Sequence, residues 1–175
     1  FMDYTIRPVE PGDAPGIAAL RRMPGVFENT LGLPSCRTAD SAAFLASLGP
    51  NDHNFVAAAE DGTIIAAAGL QVCSNPRMRH VGSIGLFVHT DYQNQGVGTA
   101  LMKAILDLAD NWLMLVRVEL EVFADNERAI RLYEKFGFEK EGLLRMTTVR
   151  CGQYADEYKM ARLRPAVGYA VKPSV

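Results

Sequence analysis

Apolar and polar positions change their period several times along the chain, and this predicts strands and helices in alternation. Between residues 118 and 122 every second residue is apolar, with Glu119 and Glu121 between them, as in a half-buried strand. The predicted strands are 4–9, 55–59, 64–72, 81–88, 117–122, 138–149 and 154–163, and the predicted helices are 13–23, 38–48, 98–112 and 125–135. This order, β-α-α-β-β-β-α-β-α-β-β, indicates a mixed α/β domain.

The third predicted helix, residues 98–112, has the clearest apolar stripe. Its apolar residues recur at helical spacing, and they are Leu101, Ala104, Ile105, Leu108 and Trp112. A helix with such a stripe buries that side against another layer of the protein. We therefore expect Trp112, at the end of the helix, to lie in the core.

Composition limits the classes of protein to which the chain can belong. Its 175 residues are 49% apolar and 22% charged, with a formal charge of −2, as in an ordinary globular protein. We expect a single domain over residues 2–165 and a peripheral C-terminal tail over residues 166–175. Nucleic acid is not an expected partner because the chain has no basic surplus. A membrane is not expected either, because no apolar run is long enough to cross a bilayer.

The cysteines also carry information about chemistry and compartment. Cys36, Cys73 and Cys151 are odd in number and widely spaced, and they form no Cys/His cluster of the kind that binds zinc. Free thiols are typical of a reducing environment. We therefore expect a cytoplasmic protein without a metal ion.

One segment between a strand and a helix has the composition of an anion site. After the strand that ends at Val88, a short polar loop leads to Gly96 and Gly98 at the start of the third helix. A helix start presents unbonded N–H groups and a positive dipole end, and glycine lets a phosphate approach the backbone closely. The alternative is an ordinary turn that the glycines only shape. The GxxxxGK[ST] and GxGxxG patterns of nucleotide-binding proteins are absent.

Two motifs make a family resemblance specific. The sequence QNQGVG at residues 93–98 resembles the Q/R-x-x-G-x-G/A motif of the GNAT superfamily of N-acetyltransferases, and residues 126–138 resemble its N-x-x-A-x-x-x-Y-x-K-x-G-F segment. The similarity extends over about residues 4–164. Residues 110–112 and 152–156 are similar to the branch of amino-acid and phosphinothricin-type N-acetyltransferases. The resemblance implies a mixed, mostly antiparallel sheet of about seven strands flanked by four helices, with strands four and five splayed.

The resemblance also implies acetyl-CoA as the cofactor. Its pantetheine arm would enter the gap between strands four and five, and its pyrophosphate would lie on the backbone of residues 95–99. Asn126 has two available roles, as a helix cap and as a contact to coenzyme A. The implied cofactor-binding residues are Leu86, Phe87, Val88, Gln93, Asn94, Gln95, Gly96, Val97, Gly98, Thr99, Asn126, Ala129 and Tyr133.

The resemblance assigns one catalytic role, and the sequence leaves the other open. In the family the tyrosine at the position of Tyr133 points at the thioester sulfur, where it would act as a general acid; its alternative role is core packing. Glu121 borders the expected gap and is the candidate base. His80, His89 or a chain of water molecules are the alternatives, because Ser83 and Gly85 occupy the fourth strand where some relatives carry an acidic residue.

The acceptor is the least defined part of the predicted function. The loop between the first two helices often frames the acceptor pocket in this family, and it contains Phe27, Asn29, Thr30 and Leu31. We expect direct transfer of an acetyl group to the primary amine of a small molecule, such as an amino acid, by an enzyme that can form a homodimer. The alternatives are transfer to a protein N-terminus or lysine, and a non-catalytic acyl-CoA-binding module.

Overall fold

The computed structural model describes residues 3–164, so the predicted tail over residues 166–175 lies outside the described residues. The strands are β1 (Tyr4–Pro8), β2 (Asp52–Ala59), β3 (Ile64–Val72), β4 (Val81–Val88), β5 (Arg117–Phe123), β6 (Glu139–Arg150) and β7 (Gln153–Leu163). The helices are α1 (Ala14–Arg21), α2 (Thr38–Ser47), α3 (Val97–Asp107) and α4 (Glu127–Lys135). None of the described helices is long and apolar enough to cross a membrane.

The strands form one seven-stranded sheet in the order β1-β2-β3-β4-β5-β7-β6. All neighbouring pairs are antiparallel except β4 and β5, which run parallel. The predicted fold class is thereby confirmed, with its mostly antiparallel sheet of seven strands and its four helices.

The two faces of the sheet carry different helices. On one face α3 and α4 pack through Leu101, Ile105, Ile130 and Tyr133 onto apolar residues of the central strands. On the other face α1 packs through Ile17 and other residues onto β2 and β3, with Phe87 of β4 at the margin of the cluster. After the roles that the family resemblance leads us to expect, we call these the cofactor face and the acceptor face.

The parallel pair β4 and β5 separates after a short contact. The two strands pair only from Val81 to Ser83, opposite Arg117 to Glu119, and beyond Ser83 β4 keeps its pairing with β3 alone. This is the splay expected from the sequence. The register between β4 and β3 is uninterrupted, so Gly82 and Gly85 introduce no bulge into that pairing.

The end of the third helix differs from the prediction. After Asp107 the backbone widens into a π-helical turn over Leu108–Trp112, which Arg162 and Arg164 anchor by hydrogen bonds to Asp110. The wider turn shifts the angular position of the following residues. Trp112 therefore points outward with 76% of its surface exposed, and its predicted place in the core is wrong.

Candidate active site

A cavity of about 960 Å³ opens where β4 and β5 separate. It is lined from the cofactor face by residues of α3 and α4 and from the acceptor face by residues of α1 and α2. The gap in the sheet therefore connects two sides of the molecule that a fully paired sheet would keep apart.

The backbone of β4 borders this gap. The N–H of His89 donates to the carbonyl of Ile65 in β3. Because backbone groups alternate sides along a strand, the groups of Leu86 and Val88 face away from β3 and into the gap. Gly85, on the acceptor face of the same segment, has no atom within 4 Å of the place where a Cβ would lie. The strand thus presents backbone hydrogen-bonding groups beside open space.

The start of α3 has the geometry of an anion site. Gly96 caps the helix with φ +86°, a left-handed conformation that favours glycine. The carbonyl of Gly96 accepts the first helical hydrogen bond, from Ala100, so the preceding N–H groups have no acceptor within the helix. Gly98 has a packing role, because a Cβ there would lie 3.3 Å from the Leu132 side chain of α4.

The two glutamines of the loop before α3 hold its shape. The side chain of Gln93 donates to the carbonyl of Val88 at 3.0 Å and accepts a hydrogen bond from Arg128 of α4. The side chain of Gln95 donates to the carbonyl of Asp91 at 2.6 Å. Gln93 therefore ties β4, the loop and α4 together at the edge of the cavity.

Most of the predicted cofactor residues line the cavity. Those in its wall are Leu86, Phe87, Val88, Gln93, Asn94, Gly96, Gly98, Thr99, Asn126, Ala129 and Tyr133. Gln95 lies outside the lining, and Val97 is buried beneath the helix start. The side chain of Asn126 accepts a hydrogen bond from the N–H of Ala129 at 3.2 Å, so it caps α4 while it borders the cavity.

Tyr133 projects from α4 into the wall of the cavity. Its ring packs against Phe138 in a tilted arrangement, and burial raises the pKa of the phenol to about 12. Among residues 3–164 no group forms a hydrogen bond with the hydroxyl, and no buried polar atom of the described side chains is unsatisfied. The hydroxyl therefore remains open toward the cavity, and it stays protonated at neutral pH.

The acceptor face of β5 carries two carboxylates with different surroundings. Lys159 of β7 bonds to Glu119 at 2.9 Å and contacts Glu121 at 3.4 Å. Burial opposes ionisation of Glu119, but the hydrogen bonds from Lys159 and Arg117 lower its pKa overall. Glu121 lines the cavity and is 47% exposed, whereas Glu119 lies outside the lining. Glu121 is the carboxylate of this strand with access to an incoming amine.

The two histidines considered as alternative bases do not line the cavity. The ring of His89 accepts a hydrogen bond from the N–H of Asp91 and packs edge-on against Tyr92, so it caps the loop. His80 is exposed where the chain enters β4. Of the predicted acceptor residues, Asn29, Thr30 and Leu31 line the cavity, and Phe27 does not.

Sequence reasoning missed several polar residues of the cavity, among them Glu157 and Arg21. Glu157 of β7 is 7% exposed and accepts hydrogen bonds from the hydroxyls of Thr147 and Thr148. Arg21, at the end of α1, lies between the rings of Phe44 and Phe87. Both reach the cavity through long-range packing, and no local motif in the sequence marks them.

Together these features define a class of protein. A helix start with the geometry of an anion site and a buried phenol lie on one side of a split sheet, and acidic side chains lie on the other. Such a site suits group transfer from a phosphate-bearing carrier to an amine. Among residues 3–164 there is no group of three or more His, Cys, Asp or Glu side chains that could hold a metal ion.

The chain belongs to the acetyltransferase (GNAT) family, whose model matches residues 26–138. A relative over nearly the whole chain is the L-amino acid N-acetyltransferase AaaT of Escherichia coli (strain K12), which is 33% identical over 174 residues, or 93% of this chain and 99% of AaaT. The N-alpha-acetyltransferase RimI of Mycobacterium tuberculosis (strain H37Rv) is 35% identical over 123 residues, or 69% of this chain and 73% of RimI.

Solved structures show the same fold. The spermidine N-acetyltransferase from Vibrio cholerae, in complex with CoA and spermine, superimposes with a TM-score of 0.81 at 22% identity, covering 91% of this chain and 95% of that one. The protein is accordingly an N-acetyltransferase with the fold expected from its sequence.

Proposed function

We propose that the protein transfers the acetyl group of acetyl-CoA to the primary amine of a small molecule, such as an amino acid. The observation that carries this proposal is the gap between β4 and β5. It joins the anion site at the start of α3 to the acceptor face, which carries Glu121 and Glu157, with Tyr133 in the wall of the cavity. Donor and acceptor can therefore meet from opposite faces of the sheet, in a ternary complex and without a covalent enzyme intermediate.

In this proposal the backbone binds the cofactor. The free N–H groups at the start of α3 hold the pyrophosphate, and the gap-facing groups of Leu86 and Val88 hold the pantetheine arm. An N–H of the same segment donates to the thioester carbonyl, where it stabilises the negative charge that develops during attack. The open space beside Gly85 leaves room for the acetyl group and the approaching amine.

The chemistry follows from the two side chains at the gap. Glu121, directly or through water, removes a proton from the acceptor ammonium, and the neutral nitrogen attacks the thioester carbon. As the carbon–sulfur bond breaks, Tyr133 donates its proton to the departing sulfur, and the attacking nitrogen loses its second proton to water. Tyr133 regains a proton from solvent, and Glu121 releases its proton to solvent. The products are the acetylated amine and coenzyme A with a free thiol.

The direct test is to measure free thiol and acetylated product when the protein is mixed with acetyl-CoA and a panel of amino acids, polyamines and short peptides. We expect thiol release that depends on a small amine, with product and thiol in equal amounts. Transfer to peptides alone would support the alternative of a protein N-terminus or lysine as the acceptor. The relative RimI is named as an N-alpha-acetyltransferase. Tight binding of acetyl-CoA without thiol release from any mixture would support a non-catalytic module.

We also propose that the enzyme is cytoplasmic and associates as a homodimer. The three cysteines are free thiols, which suits a reducing compartment. β6 is an edge strand of the described sheet, and its hairpin with β7 exposes the apolar residues Leu143, Met146, Val149 and Tyr154. A long edge strand with exposed apolar side chains is a favourable surface for pairing with a second copy.

A further inference from the structure

Arg21 is a cation of the cavity that has no acidic partner among residues 3–164. Its guanidinium carbon lies 5.3 Å from the centre of the Phe44 ring and 5.9 Å from that of Phe87. Within residues 3–164 no carboxylate lies within ion-pair distance of it, and it donates no hydrogen bond. The side chain is partly buried and lines the cavity on the acceptor face.

The other cations of the cavity are arranged differently. Lys159 is bonded to Glu119 and contacts Glu121. The remaining three, Arg128, Arg131 and Lys135, all belong to α4 on the cofactor face. Arg21 is therefore the cavity cation on the acceptor face that has no acidic partner among the described residues.

The surroundings of Arg21 suit one kind of ligand. Two aromatic rings hold the planar guanidinium by cation–π contact but use none of its N–H donors. The donors form a fork that matches both oxygens of a carboxylate. Partial burial strengthens such a pair relative to one in open water. A polycation would instead be repelled at this position.

The position of Arg21 relative to the reacting centre also fits a short acceptor. Phe87, whose ring it contacts, lies between Leu86 and Val88, the residues whose backbone faces the gap. A carboxylate bound to Arg21 therefore lies beside the strand segment that would hold the thioester. The amine of a small amino acid can then lie in the gap without a long spacer.

We propose that Arg21 binds the carboxylate of the acceptor, so that the enzyme selects free amino acids over polyamines and over peptide N-termini. This inference rests on the proposed function and narrows its substrate class. A polyamine adds positive charge next to Arg21 and has no carboxylate. A peptide N-terminus has its α-carboxyl group locked in an amide bond.

The test compares each free amino acid that is acetylated with its own amide, which keeps the side chain and the amine but lacks the carboxylate. We expect the wild-type enzyme to prefer the acid, and Arg21→Gln to lower kcat/KM for the acid by about 10- to 100-fold, mostly through KM, because a charged hydrogen-bonded pair is lost. The kcat/KM for the amide should change little. Arg21→Lys keeps the charge but loses the fork, so it should restore only part of the preference.

The matched control is Arg22→Gln, which removes the same charge one residue away. Arg22 is exposed, lies outside the cavity lining and donates to the carbonyl of Cys36, so this variant should keep the ratio of acid to amide. An equal loss for acid and amide in Arg21→Gln would overturn the proposal, because it would indicate a packing defect. A wild-type preference for polyamines or peptides would also overturn it. If none of the amines tested causes the wild-type enzyme to release thiol from acetyl-CoA, the proposed function itself fails.

Discussion

At the scale of single residues, Tyr133 is defined by burial and by an open hydroxyl. Its pKa of about 12 keeps the phenol protonated across the neutral range, so it can donate a proton but cannot take one from an ammonium. A thiol has an ordinary pKa of about 8.5. In the proposed mechanism Tyr133 is therefore a weak acid toward the sulfur, and we expect it to contribute late, when the carbon–sulfur bond has largely broken.

We expect Tyr133→Phe to reduce kcat by about 10²- to 10⁴-fold, the usual range for help in proton transfer. Affinity for acetyl-CoA should change little, because the lost interaction acts mainly in the transition state. Turnover and calorimetric binding measure the two effects. Tyr158→Phe is the control, since this partly buried tyrosine of β7 lies outside the cavity. Near-normal turnover in Tyr133→Phe would mean that water protonates the sulfur.

Glu121 has a different signature, because its role depends on the charge of the substrate. An α-amine of a peptide has a pKa of roughly 8, and that of a free amino acid is more basic, so most of the substrate is charged at neutral pH. We expect Glu121→Gln to lower kcat/KM most at about pH 6 and to recover partly toward about pH 9, where solvent supplies the neutral amine.

Glu157→Gln is the companion variant for Glu121→Gln, because Glu157 is the other carboxylate of the cavity on the same face. Profiles of kcat/KM against pH for both variants and the wild type distinguish the two residues. A Glu121→Gln profile parallel to the wild type, together with a pH-dependent loss in Glu157→Gln, would transfer the role of base to Glu157.

The sequence predicted these residues unequally. Tyr133 and Asn126 lie in a local motif, and Glu121 stands out by the alternation of β5. Arg21 and Glu157 owe their positions to packing: one lies against Phe87, which is far along the chain, and the other is placed by the register of β7 against β5. Neither contact has a local pattern, so a single sequence could not predict it.

At the scale of elements, the start of α3 depends on the backbone of Gly96. Its φ of +86° and the open space around its missing Cβ mean that alanine is strained there without a steric clash in the unliganded protein. We expect Gly96→Ala to lower the free energy of unfolding by about 1–2 kcal/mol and to weaken acetyl-CoA binding, because the N–H groups of the loop shift.

Gly62 provides a matched control for Gly96→Ala. It turns the β2–β3 hairpin at the same φ of +86°, also with no atom within 4 Å of a Cβ, and it lies outside the cavity. Gly62→Ala should lose similar stability in denaturant titration but keep its affinity for acetyl-CoA in calorimetry. If Gly96→Ala and Gly62→Ala bind acetyl-CoA with equal affinity, Gly96 is not part of the cofactor site.

Elements whose apolar residues keep one spacing from end to end could be predicted from the sequence, but the end of α3 could not. The alternation of β5 and the Asp61-Gly62 turn between β2 and β3 each depend on neighbouring residues, so the sequence alone can indicate them. The π-helical turn depends on Asp110, which is bound by Arg162 of β7 and by Arg164 just beyond the end of that strand. Because these partners lie far along the chain, the stripe of the helix gave no sign that Trp112 would turn outward.

At the scale of the whole molecule, the exposed apolar residues of the β6–β7 hairpin are the surface through which we propose that two copies pair. If two copies pair through it, sedimentation should give twice the mass of the 19.2 kDa chain. Val149→Glu places a charge on this exposed apolar surface and should shift the equilibrium toward the monomer. Met78→Glu is the control, because Met78 is exposed on a short turn elsewhere. A monomer at all concentrations would contradict the proposed dimer.

The split between β4 and β5 has a consequence for how the molecule responds to its own substrate. Strand edges that face each other across the gap lack the partners that the rest of the sheet has, so the amide protons of Leu86 and Val88 should exchange quickly with solvent. The pantetheine arm would form hydrogen bonds there with the backbone of β4, as a neighbouring strand does elsewhere in the sheet. Saturating acetyl-CoA, at about 100 times its dissociation constant, should add about 2.7 kcal/mol to the free energy of unfolding. Hydrogen exchange should slow at the same time, and most strongly in β4. The enzyme would then be most rigid in its complex with acetyl-CoA, the state in which it can react.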